Sequence, residues 1–145
     1  MVDIIRITIK GGSGYCSVDE AYEDKLTISC NEIRYEYTPV IESETNIHRK
    51  WVYKTTSPAF QVLYKKTADA IENILNQDDA SFCTDIGVTS FTVTYADKSK
   101  REKTFFFPGD YFIECYSIIK QMVPGCEYTP AVLLTSEDYE DDNKV

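Results

Sequence analysis

Across residues 3–10, Ile5, Ile7 and Ile9 alternate with Arg6, Thr8 and Lys10. A period of two predicts a strand with one buried face. Leu26, Ile28 and Cys30 alternate in the same way with Thr27 and Ser29, and after a two-residue break at Asn31-Glu32 the pattern resumes with Ile33, Tyr35 and Tyr37. Two alternating runs joined by so short a break predict a hairpin. Residues 42–46 are polar, and Trp51-Val52-Tyr53-Lys54-Thr55 reads as one more strand, which puts the tyrosines and the tryptophan of this meander on one face. Rings on a pleated surface pair well with their cross-strand neighbours, so that aromatic face is expected to be core.

The period then changes. Ser57-Pro58 is a helix start, with serine at the cap and proline in the first turn, where its missing N–H costs nothing. Phe60, Leu63, Tyr64, Thr67, Ile71, Ile74 and Leu75 follow at helical spacing, predicting a helix over Pro58–Leu75. Phe91, Val93 and Tyr95 alternate again, a polar turn Asp97-Lys98-Ser99-Lys100 leads back through Thr104 to Phe107, and Phe112, Cys115, Tyr116, Ile119 and Met122 mark a second helix over residues 111–123. Hairpins impose antiparallel pairing, and each helix has one apolar stripe to bury. The expected fold is therefore α+β: a mainly antiparallel sheet of about six strands with both helices largely on one face.

Three stretches carry less regular signals. Glycines at 11, 12 and 14 follow the first strand but lack the Gly-Lys-Ser/Thr ending of a phosphate loop and the GxGxxG of a dinucleotide site, so they predict a flexible turn. Ser17-Val18-Asp19-Glu20 matches a capping box and predicts a short helix reaching about Asp24. Pro58 with Phe60 and Tyr64 is echoed by Pro108 with Phe112 and Tyr116, a match too short to establish an internal repeat.

Composition narrows the class. In a chain of 145 residues, 43% hydrophobic and 13% aromatic content is too rich in core formers for disorder, and it suits one domain over residues 1–135. Residues 136–145 begin a dense acidic run with little to bury and are expected to form a tail. The net charge of −9 argues against nucleic acid and anionic membrane as partners. No charged start precedes a long apolar stretch, and no run of about 18 apolar residues occurs, so neither an export signal nor a membrane span is expected. Five widely spaced cysteines, an odd number, read as reduced thiols of a cytoplasmic protein.

Candidate chemistry is sparse. The single histidine, His48, sits in or beside a polar loop and reads as an ordinary solvated residue, and no two cysteines are spaced as a zinc site requires. No catalytic residue, metal or cofactor is predicted. On the expected helix, Asp19 with Glu23 and Glu20 with Asp24 form like-charge pairs four apart, which a cation would relieve. These four acids are the candidate partner-binding residues. The expectation is a non-catalytic interaction module for a basic or cationic protein, of the inhibitor or immunity type. Its alternatives are a small-molecule pocket lined by the aromatic face, and an enzyme working through carboxylates.

Overall fold

A strand that pairs on both sides must present side chains matched to two neighbours at once, and β1 (Ile4–Gly12) meets that requirement with isoleucine. The computed structural model describes residues 3–12, 21–44, 46–76, 89–105, 112–123 and 133. After β1 come β2 (Tyr22–Ser29), β3 (Glu32–Pro39), β4 (Arg49–Lys54), α1 (Pro58–Leu75), β5 (Thr89–Tyr95), β6 (Lys100–Phe105) and α2 (Ile113–Lys120). The strands form one six-stranded sheet in the order β4-β3-β2-β1-β5-β6. Every neighbouring pair is antiparallel, and the fold is α+β.

The register places Ile9 between Leu26 and Phe91, and Ile7 between Ile28 and Val93. All six side chains are fully buried. Both helices pack on that face. Phe112 meets Phe91 edge to face with ring centroids 5.0 Å apart. Tyr116 lies over Phe91 as well, and Phe60 reaches Tyr53 of β4. Along α1 the buried residues Phe60, Tyr64, Thr67, Ile71, Ile74 and Leu75 form the stripe the spacing predicts, and the stripe of Phe112, Cys115, Tyr116, Ile119 and Met122 is likewise buried. Leu63 is half-buried against the core. The side chain of Phe105 lies outside the described residues.

Several local expectations are corrected. Between Ile4 and Arg6 the β1–β5 register shifts, so Ile4 turns toward the core and Ile5 is exposed instead of sharing the face of Ile7 and Ile9. A bulge of this kind adds one residue to one strand and reverses the alternation beyond it. Gly11 and Gly12 do not begin a turn but continue β1, opposite Asp24 and Glu23. The helix expected to reach Asp24 does not, because Tyr22, Glu23 and Asp24 belong to β2; residues 13–20, with Ser17, Asp19 and Glu20, lie outside the described residues. Pairing with Thr38 and Tyr37 on β3 outweighs the local cap signal there.

The β2–β3 turn is Cys30-Asn31, one residue earlier than expected, since Ser29 and Glu32 still face each other. The second helix is regular only over Ile113–Lys120, with Phe112 before it and turns after it. Ser57 stands at the cap of α1 but makes no side-chain cap bond; its own N–H donates to Thr55 Oγ1. Of the apolar segment 131–134, Leu133 alone is described, and it is buried in the core. The tail at 136–145 and Pro108 of the internal echo lie outside the described residues.

The far end of α1 shows how helix and sheet are locked together. Its last turn holds no basic residue, although terminal carbonyls favour one. The cations come from β6. Arg101 Nη2 donates to Asn76 Oδ1 at 3.0 Å and to the Leu75 carbonyl at 3.4 Å, and Lys103 Nζ reaches the same carbonyl at 3.5 Å.

Ile119 is fully buried where α2 meets the sheet. Truncating it to alanine should cost about 2–5 kcal/mol of unfolding free energy, the range for a large buried aliphatic. Urea denaturation checks this, and an unmoved midpoint would mean that α2 does not pack through this face.

Candidate functional site: the uncovered face of the sheet

The helices occupy one side of the sheet, and the residues between the buried positions define the other. Reading across the strands, one row runs Lys50, Glu36, Lys25, Lys10, Ser90, Thr104 and the next Val52, Arg34, Thr27, Thr8, Thr92, Glu102. Arg6, Lys54 and Lys100 share this face with Glu23 and Glu32. Seven bases thus meet four acids on the uncovered face of an acidic chain. All but Lys144 of the 15 Lys and Arg lie among the described residues, as do half of the 24 Asp and Glu.

Some of these charges are matched. Arg34 Nη2 is 3.0 Å from Glu32 Oε1, and Lys54 Nζ is 4.0 Å from the same oxygen. Glu36 accepts from His48 Nε2 at 2.9 Å and is flanked by Lys25 and Lys50. The hydrogen bond from His48, aided by the nearby cations, holds the Glu36 carboxyl below the usual carboxylate range. His48 is therefore an exposed residue bridging two strands at the surface, as its loop position suggested, with a specific partner that sequence spacing could not reveal.

Lys10 and Lys25 are different. They lie directly opposite each other on β1 and β2, both exposed, and among the described residues neither takes part in an ion pair. Like charges directly opposite on one face of a sheet destabilise it. A shallow depression of about 500 Å³ beside Lys25 is lined by Arg6, Arg34 and Lys50 together with Glu32 and Glu36.

The acids singled out from the sequence do not assemble into one patch. Glu23 is exposed on the uncovered face, while Asp24, the next residue along the strand, is buried on the helix side. There Tyr35 donates its hydroxyl to Asp24 Oδ2 at 2.9 Å. The aromatic face of β3 and β4 forms as expected around this carboxylate. Tyr35 and Trp51 are buried against each other with centroids 5.9 Å apart, and Tyr37 stacks on Tyr22 at 4.8 Å. Tyr37 also donates to Asn46 Oδ1, and the Arg49 guanidinium lies over its ring. These rings are engaged with one another, with Asp24 and with the loop before β4.

A second depression, of about 700 Å³, lies between α1 and the start of β1 near Cys30, Gln61, Tyr64 and Lys65. Tyr64 spends its hydroxyl on the Ile4 carbonyl at 2.8 Å, and burial pushes its pKa up. Cys30 and Cys115 are both free thiols; the other three cysteines lie outside the described residues. Burial pushes the Cys115 thiol up to about 12. Among the described residues no group of three or more His, Cys, Asp or Glu is placed to hold a metal ion, and no helix is long and apolar enough to cross a membrane. No protein-family model matches the chain, and a search of curated proteins found no match.

Two predictions follow from this chemistry. At pH 8 a maleimide should label Cys30 rapidly and Cys115 only on unfolding, because the thiolate is the reactive form; peptide mapping reads this, and equal labelling in the folded protein would overturn the placement of Cys115. Replacing His48 with alanine should raise the Glu36 carboxyl pKa seen by NMR titration. The sign is that of any carboxyl whose folded pKa is depressed: the pair's small stabilisation is present above the unfolded carboxyl pKa and fades as pH falls through the folded one. An unchanged Glu36 titration in H48A would mean that the bond does not form in solution.

Proposed function

We propose that the protein is a non-catalytic interaction module that docks an acidic segment of another protein on the uncovered face of its sheet. The observation that carries this reading is the Lys10–Lys25 pair, two exposed like charges held opposite each other by the β1–β2 register, with further bases around them. A carboxylate from a partner would relieve the repulsion that folding imposes, and the surrounding cations would speed encounter. Glu23, Glu32, Glu36 and Glu102 interrupt the positive field, which suits a protein of mixed charge better than a phosphate backbone. Tyr53, the one exposed ring on β4, faces the helix side, so the bases of a nucleic acid would find no stacking platform in these rows among the described residues.

The net charge of −9 favours a second reading, in which a basic protein meets the acids lying outside the described residues together with Glu23. Charge reversal separates the two. Wild-type protein should bind fluorescent poly-L-glutamate with an affinity that falls as salt is added. Reversing Lys10 and Lys25 to glutamate should weaken that binding about tenfold, from about 1 kcal/mol or less per exposed charge contact replaced by repulsion. Reversing Asp19, Glu20 and Glu23 to lysine should not weaken it. Binding to poly-L-lysine instead, lost in that triple variant and kept in K10E/K25E, would put the basic partner in place of the acidic one. Preference for a DNA duplex over both would overturn the protein-partner reading.

A further inference from the structure

The sheet ends in two edges that are built differently. β6 carries four consecutive charged residues, Lys100 to Lys103, and two of them are tied to the end of α1. Charge of this kind is how edges are kept from pairing. β4 is less guarded. Its Val52 is 53% exposed, Tyr53 is exposed beside it, and the preceding loop exposes Val40, Ile41 and Ile47.

The direction of the backbone groups on β4 follows from its pairing. Thr55 N–H donates to the Asn31 carbonyl directly across from it, and hydrogen-bonded and non-hydrogen-bonded residues alternate along an antiparallel pair. Tyr53, Trp51 and Arg49 therefore also turn their N–H and C=O toward β3. Lys50, Val52 and Lys54 turn theirs outward, where among the described residues no further strand is paired. The same three residues point their side chains to the uncovered face.

We propose that the acidic partner enters as a seventh, antiparallel strand along β4, through an extended segment with the pattern acidic–x–aliphatic–x–acidic. The proposal rests on the docking reading above for the acidic character of its occupant, and it adds a separate contact at the β4 edge, which β3 separates from the strands that carry Lys25 and Lys10. Outward amides and carbonyls of Lys50, Val52 and Lys54 supply the ladder, while the side chains opposite them supply selectivity: acids beside the two lysines, an aliphatic residue beside Val52. A second copy of the chain fits this edge poorly. Antiparallel pairing about Val52 would set Lys50 of each copy against Lys54 of the other.

The probe is a labelled peptide, Thr-Glu-Thr-Val-Thr-Asp-Thr, titrated against the whole chain by fluorescence anisotropy. Wild-type protein should bind it at least about tenfold more tightly than a scrambled peptide of the same composition. Val52→Pro should abolish that preference. Proline is tolerated on an edge where the lost N–H faces solvent, so the β3–β4 ladder remains. Because V52P could still disturb the strand, a second arm changes only the peptide. N-methylation of its valine, whose N–H would face β4, should abolish binding, whereas N-methylation of the flanking threonines should leave it.

Equal binding of the two N-methylated peptides would overturn strand addition and leave the docking reading standing, provided that poly-L-glutamate binding still depends on Lys10 and Lys25. Failure of the wild type to bind either probe would overturn both. A wild-type dimer in sedimentation that V52P dissolves would assign the edge to a second copy and overturn the proposal.

Discussion

The double pairing of β1 is the constraint on which the rest depends. Because Ile7 and Ile9 must each match a neighbour on both sides, the registers of β2 and β5 are fixed relative to one another through a strand that contacts no solvent on its core face. A slip of one residue on either side would turn a whole row of apolar side chains outward. The helices inherit their positions from that row. Phe91 is the seat for Phe112 and Tyr116, and its own place is set by Ile9.

The same constraint writes the chemistry of the opposite face. Residues between buried positions have no choice of side, so a register chosen by apolar contacts also decides which charges meet. Lys10 stands against Lys25 because Ile9 stands against Leu26. Folding energy of the core thus holds in place a pair that its own electrostatics would separate.

Most elements were legible because their signals are periodic and reinforced by neighbours. The α1 stripe and its starting proline, the alternation of β5 and the existence of both hairpins follow from spacing alone, although the β2–β3 turn is displaced by one residue. What was missed lies where a distant contact overrules a local pattern. Asp-Ile-Ile-Arg-Ile alternates well enough to hide a bulge that only pairing with β5 creates. Ser-Val-Asp-Glu reads as a helix start, yet the residues just beyond it form a strand whose Asp24 is buried under the Tyr35 hydroxyl, a bond between residues with no sequence relation. The cations that cap α1 come from β6. Charge was the most misleading quantity, since the net value of the whole chain conceals the excess of bases over acids in the rows of the uncovered face. Of that face only Glu23 stands out in the sequence, and none of its bases does. Only the register reveals the juxtaposition.

The placement of β1 in the middle of the sheet has a consequence for how the chain reaches its native state. β1 to β4 form a meander of neighbours, and β5 with β6 form a hairpin, so each group can arise from contacts close in sequence. Joining them requires Ile9 to find Phe91, about 80 residues away, at a loop-closure cost of roughly 4 kcal/mol. That closure completes the core, because until it happens Ile7 and Ile9 lack their partners Val93 and Phe91. Topology of this type makes the late union of two locally built halves the slow event in folding. In the interval between them, the future partner edge of β1 is an unpaired central strand of isoleucines, the stretch of this chain most in need of protection from association with other molecules.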